Sequence, residues 1–307
     1  MTKTRSNNKK LSMILAVLLV LFSFTACNEE ITQPNVSVDI YNMADYESGE
    51  VFDFEKVNLS EDLSQKCCSY KFTYMSDGYK IKGYISIPNS SIESQELTKC
   101  VLYNRGGNRD FGKLQDDTTA YICALCNRIV IASQYRGGGG SEGQDQFGGD
   151  DLNDVIKLID LCENTFSFID MDDFCVVGVS RGGMMTYMAA RQDNRIKKII
   201  AASAVTDLFE EYERRKDMND VLIETIGCTP QENPAEYEKR SAIYWYDEIK
   251  IPVMIIHSEN DKQASYQAAK KMYEKLKDVT DCTFISHDDD FHGIQSADYQ
   301  AIRDWLN

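Results

Sequence analysis

From residue 67 onward the chain alternates between two hydrophobic patterns. Short apolar runs bounded by polar or glycine-rich stretches read as strands: Cys100–Tyr103, Ile129–Gln134, Phe174–Val179, Ile196–Ala202, Val253–His257 and Cys282–Ser286. Between them, segments of helical character predict helices over Thr118–Cys126, Asp151–Thr165, Gly182–Arg191, Tyr266–Leu276 and Ala297–Leu306. Cys67–Met75 and Tyr79–Pro88 flank Asp77-Gly78, which predicts a hairpin. Continuously apolar strands alternating with helices imply a mostly parallel sheet covered on both faces. One segment, Asp207–Ile249, interrupts the alternation. It is polar, with Tyr212, Tyr237, Tyr244, Trp245 and Tyr246 interspersed, and reads either as a small helical cap or as a plain surface excursion.

The apolar run Phe174–Gly178 leads straight into Gly178-Val179-Ser180-Arg181-Gly182, and a helix-prone run follows from Met184. Strand, Gly-x-Ser-x-Gly, helix resembles the nucleophile elbow of the α/β-hydrolase fold. Such a turn is too sharp for side chains beside the serine. The Ser180 hydroxyl is expected to stand exposed at the head of a helix, with the Arg181 amide free to bind an oxyanion.

In that fold the acid and the histidine follow the serine, each just after a later strand. The chain has three histidines, His257, His287 and His292. Asp261 lies in the loop after the strand ending at His257, and the loop after Cys282–Ser286 carries His287 and His292. His292 is the expected base because it sits well into its loop, in Phe291-His292-Gly293, and can reach over the sheet edge. His287 abuts its strand. His257 ends an apolar strand beside the acid loop and reads as a packed, loop-shaping residue. Asp288, Asp289 and Asp290 compete weakly with Asp261 for the acid role, since three consecutive acids are usually solvated.

Six segments then carry a family resemblance. Tyr103–Gly112, Gln134–Gly143, Phe147–Asp150, Gly178–Gly183, His257–Asp261 and Phe291–Gly293 together resemble the catalytic domain of the prolyl oligopeptidase family, serine hydrolases of α/β-hydrolase fold. The resemblance runs from about Tyr70 to the C-terminus. Two departures stand out. Larger members carry an N-terminal β-propeller that filters substrates, for which this chain has no room. The family's usual His-Gly before the acid loop is His257-Ser258 here.

An oxyanion hole needs a second amide beside that of Arg181. The loop after Cys100–Tyr103 is the expected source, with Gly106 and Arg105 as candidates; Asn104 or Arg109 could also reach the substrate. In the cap, Tyr244 and Trp245 are candidate substrate contacts. Gly137–Gly140 could pass for a phosphate loop but lacks the Lys-Ser/Thr that a nucleotide loop needs.

The N-terminus bears on where the chemistry happens. Lys3, Arg5, Lys9 and Lys10 precede an apolar run from Leu11 to Phe24, followed by Thr25-Ala26-Cys27. A charged head and an h-region of this length read as a signal peptide, short for a membrane span. Phe24 spoils ordinary cleavage after Ala26, whereas a small residue before a cysteine resembles the bacterial lipoprotein signal. Residues 1–26 are therefore expected to be removed, with Cys27 lipidated and 27–58 forming a tether to a catalytic domain at 59–307, including the cap at 207–249. Simple secretion and a retained anchor are the other readings.

Charge and cysteine content narrow the classes further. The chain has 33 basic and 49 acidic residues. Residues 1–26 hold four of the basic and none of the acidic ones, so processing takes the net charge from −16 to −20. Such a charge disfavours nucleic acid, whose phosphates are bound by Lys and Arg. Ten cysteines suggest a disulfide framework, but Cys100, Cys175 and Cys282 sit inside apolar strands, where a free thiol behaves as a small hydrophobe. Cys123-x-x-Cys126 lacks a partner pair of zinc spacing. No metal and no cofactor are expected. The expected function is a serine hydrolase of the bacterial cell envelope, anchored to a membrane through a lipid on Cys27. Its expected substrates are short peptides, with a carboxylesterase of small esters or an inactive binding lipoprotein as alternatives.

Overall fold

The structure, a computed structural model, describes residues 41–307. The signal sequence, Cys27 and the first part of the expected tether lie outside the described residues.

Three antiparallel strands lead into a parallel α/β series. Strand β1 (Val51–Lys56), helix α1 (Glu61–Ser64), β2 (Cys67–Ser76), β3 (Tyr79–Pro88) and α2 (Asn89–Ser94) come first. Then follow β4 (Thr98–Asn104), α3 (Thr118–Cys126), β5 (Ile129–Ser133), α4 (Leu152–Asn164), β6 (Ile169–Val179), α5 (Arg181–Gln192) and β7 (Lys198–Ala202). The cap holds α6 (Leu208–Arg214), α7 (Asn219–Ile226) and α8 (Pro234–Glu238), and β8 (Val253–Ser258), α9 (Tyr266–Leu276), β9 (Cys282–His287) and α10 (Tyr299–Leu306) complete the chain. The nine strands among the described residues form one sheet in the order β1-β2-β3-β5-β4-β6-β7-β8-β9. Pairing is antiparallel from β1 to β5 and parallel from β5 to β9. This is the α/β-hydrolase fold that the motif pattern predicts.

Period-2 alternation builds both sides of the core. Leu102, Val176, Ile199 and Ile255 face one side and pack with α4 and α5, while Val101, Val177, Ile200 and Ile256 face the other and pack with α3 and α10. With both faces covered, polar residues have no exposed side to occupy, so the central strands read as unbroken apolar runs. The hairpin turns at Asp77-Gly78, both with positive φ (49° and 83°), the two-residue turn whose twist matches the strands.

Two boundaries differ from the sequence expectation by more than two residues. β6 begins at Ile169 rather than Phe174, because Asp170, Asp172 and Asp173 interrupt the apolar run without breaking the pairing of its start with Thr98 and Lys99. The domain also begins before residue 59. Val51–Lys56 pairs with β2 as an edge strand, and Tyr41, Met43 and Val51 are buried in the core. An edge strand with one solvated face and a break in register between Phe52 and Glu55 carries little apolar signal.

Candidate active site

Ser180 closes the turn between β6 and α5, with φ 59° and ψ −125°. A non-glycine residue held there stores strain, which the surrounding packing must enforce. The flanking glycines are required by space. A Cβ on Gly178 would lie 2.2 Å from the Gly182 carbonyl oxygen, and one on Gly182 would lie 2.0 Å from that of Asn104. Arg181 is the first residue of α5, so its amide belongs to the first turn, whose N–H groups find no partner within the helix.

The Arg181 side chain does something the motif did not announce. It is buried, with Nη1 2.7 Å from Asp145 Oδ2 and Nη2 on Asp151 Oδ2. Its guanidinium lies over the rings of Phe147 (4.9 Å) and Tyr135 (5.4 Å). Nη1 also donates to the Gly107 carbonyl at 3.1 Å, tying the elbow to the glycine loop after β4. Burial pushes the Asp145 carboxyl up, but Arg181 outweighs it and holds the group below the usual carboxylate range.

Asp261, in the loop after β8, sits in a cradle of N–H donors. Its Oδ1 accepts the amides of Gln263 (2.7 Å) and Ala264 (3.1 Å), and its Oδ2 lies 2.8 Å from His292 Nδ1. Burial would raise this carboxyl; contacts from His257 and His292 and the Gln263 amide outweigh that and hold it well below the ordinary range. The His292 loop is pinned by the Gly293 amide, which donates to the buried Ser203 hydroxyl at 2.9 Å. His287 is engaged elsewhere, with Nε2 2.6 Å from Asp298 Oδ1.

Ser180 and His292 line one cavity of about 560 Å³. Gly106, Gly107 and Phe111 form one wall, Phe147 and Val205 another, and Glu211, Arg215, Met218 and Leu222 of the cap a third. Gly106 abuts the serine: a Cβ there would be 3.2 Å from Ser180 Cβ. Burial holds the Glu211 carboxyl above its ordinary value, against the pull of Arg214.

Several expected contacts lie elsewhere. Asn104 is fully buried, its amide donating to Thr186 Oγ1 (3.1 Å) and its oxygen accepting from Tyr135, so it braces the elbow from behind. The Arg105 side chain is likewise buried and bonds the carbonyls of Gln134, Gly106, Phe111 and Arg109. Arg109 is outside the cavity lining and pairs with Glu224 of the cap at 2.7 Å. Trp245 is buried under Arg191, with its ring nitrogen on the Glu238 carbonyl, and Tyr244 is half exposed against Phe209. Neither aromatic lines the cavity. Trp245 anchors the cap, because a buried ring gains most by packing, while Tyr244 stays at the surface.

Sequence reading missed Asp145, Asp151, Ser203 and the cap wall. Asp145 and Asp151 bracket the Phe147-Gly-Gly-Asp150 motif, which was the one available signal for a structured loop. Among the described residues no cluster of His, Cys, Asp or Glu is placed to hold a metal ion, and the nine described cysteines are free thiols. Among the described residues, no helix is long and apolar enough to cross a membrane.

Comparisons with known proteins place the chain in a family. Residues 115–306 match the prolyl oligopeptidase family. The uncharacterized peptidase YtmA of Bacillus subtilis is 29% identical over 217 residues, covering 70% of this chain and 82% of that one. Dipeptidyl peptidase family member 2 of Caenorhabditis elegans is 29% identical over 185 residues, 56% of this chain but 21% of its own length. Among solved structures, the acylaminoacyl peptidase of Pyrococcus horikoshii superposes with a TM-score of 0.66 at 19% identity, over 82% of this chain and 44% of that one. Acetyl xylan esterase 1 of Thermoanaerobacterium superposes with 0.62 at 14% identity, over 85% and 88%. Both structures speak for the fold alone. The chain belongs to the prolyl oligopeptidase family, and that membership supports a serine-type peptidase.

Proposed function

We propose that this member of the prolyl oligopeptidase family hydrolyses short peptides through an acyl-enzyme formed on Ser180. The observation that carries the reading is the 2.8 Å contact of His292 Nδ1 with Asp261 Oδ2, on a histidine that shares a cavity with Ser180. With Nδ1 donating to the carboxylate, Nε2 is the nitrogen left to take a proton.

In this reading Ser180 attacks the acyl carbon while His292 removes its proton. Asp261 keeps the imidazole in one tautomer and stabilises its charged form. The Arg181 amide and one from the Gly106 loop receive the developing oxyanion. His292 then protonates the leaving amine, and water, activated by the same base, releases the acyl group. The apolar walls at Phe111, Phe147, Val205, Met218 and Leu222 suit an uncharged side chain. We further read Cys27 as the lipid-bearing residue, which would hold the enzyme at the bacterial cell envelope.

Labelling with a fluorophosphonate probe tests the chemistry. Wild-type protein should label at Ser180, and Ser180→Ala should not. Ser180→Ala and His292→Ala should each cut turnover by about a thousandfold or more, while His287→Ala keeps most of it. Absence of labelling in folded protein would favour a binding lipoprotein. Turnover of small esters but of no peptide in a library would replace peptidase with carboxylesterase.

A further inference from the structure

We propose that His257 is a positioning residue for the reaction: its imidazole donates to Asp261 and fixes the oxygen that faces His292. The inference rests on the Ser180–His292–Asp261 reading above.

His257 is the penultimate residue of β8, four residues before Asp261, and its side chain has no exposed surface. Its Nε2 lies 3.4 Å from Asp261 Oδ2 and 3.3 Å from the Ala264 carbonyl oxygen. Both neighbours are acceptors, so the hydrogen belongs on Nε2, bonded to the Ala264 carbonyl with Asp261 Oδ2 as a longer second contact. The other nitrogen, Nδ1, is buried with no hydrogen-bond partner among the described residues. A proton there would be a buried donor without an acceptor, which costs far more than a bare lone pair. The geometry therefore selects one tautomer.

The consequence falls on one atom. Asp261 Oδ1 is held by two backbone amides, whereas among the described residues Oδ2 faces only imidazoles: His292 at 2.8 Å and His257 at 3.4 Å. Without His257, the carboxylate keeps one firmly held oxygen and can rotate the other away from His292. The same imidazole, bonded to Ala264, ties down the far end of the loop whose amides hold Oδ1. The Tyr266 ring meets His257 edge-on, with centroids 6.1 Å apart, and restricts its tilt. The charged groups that Asp261 senses besides the two histidines are Glu211 and Arg215, from the cap.

Two variants and one spectroscopic measurement test this. His257→Leu keeps apolar bulk but removes the donor, and kcat should fall about tenfold with KM nearly unchanged, the scale of one hydrogen bond to a charged acceptor. His257→Gln restores an amide donor and should recover most of the loss. Unchanged kcat in His257→Leu, or equal losses in both variants that track a fall in Tm, would overturn the proposal. Wild-type protein with 15N-labelled histidine gives a test that needs no folded variant. His257 should show a protonated Nε2 and a bare Nδ1; the opposite tautomer would overturn the proposal, since no donor would then face Asp261. The reading it rests on fails separately, by Ser180→Ala or His292→Ala retaining activity.

Discussion

Arg181 Nη1 lies 2.7 Å from Asp145 Oδ2, and both side chains are almost fully buried. The residue next to the serine thus carries two separate duties. Its amide stands at the head of α5, and its guanidinium locks the Phe147 loop and the Gly107 carbonyl around that head. A buried pair of this kind gains little over an apolar substitute for both partners, but losing one partner strands the other.

Arg181→Met should therefore destabilise the fold by about 3–5 kcal/mol, because it leaves Asp145 and Asp151 buried without a counter-charge. Urea unfolding of the variant and of wild type measures this. A loss below about 1 kcal/mol would mean that water or relaxation replaces the pair.

The same pair sets a pH dependence. The Asp145 carboxyl is depressed in the folded state, so its contribution is fully present above the unfolded value of about 3.9 and is lost as pH falls through its folded value. Asp145→Asn has no such titration. Its stability should fall less steeply than that of wild type below about pH 4, read as urea midpoints across pH 3 to 7. Parallel curves would show that Asp145 gains nothing from Arg181.

The cap separates anchoring from recognition. Trp245→Ala should cost roughly 3–5 kcal/mol and lower kcat/KM for all substrates alike, since the ring is buried away from the cavity. Tyr244→Ala should stay within about 0.5 kcal/mol of wild type, because the ring is half exposed. Met218→Ala and Leu222→Ala line the cavity and should instead change the ratio of kcat/KM between small and large acyl groups. A peptide panel, read beside melting temperatures, distinguishes these outcomes.

Cys27→Ser tests the envelope assignment. Lipid labelling in cells, or mass spectrometry of the mature protein, should find the lipid on wild type and none on the variant. A mature chain that begins elsewhere without lipid would reject the anchor.

The amino-acid sequence by itself determined the alternation of strands and helices, the elbow at Ser180, and the order in which Asp261 and His292 follow it. These are local properties. A buried strand declares itself by an apolar run, a helix by residues three and four apart, and an elbow by glycines whose absence of Cβ the turn demands. Tertiary structure alone decided which way side chains face once distant segments meet. Asn104, next to the oxyanion loop in sequence, turns into the core toward Thr186, and Arg105 spends its guanidinium on four carbonyls. The cap presents Glu211, Arg215, Met218 and Leu222 to the cavity and keeps Tyr212, Tyr237 and Trp245 buried as anchors, because ring burial outweighs any local preference for the site. The partners of Arg181 and His257 were likewise invisible along the chain. Asp145 and Asp151 lie 36 and 30 residues upstream of Arg181, and only closure of the sheet brings their charges together; Asp261 is near His257, but loop geometry decided which nitrogen meets it.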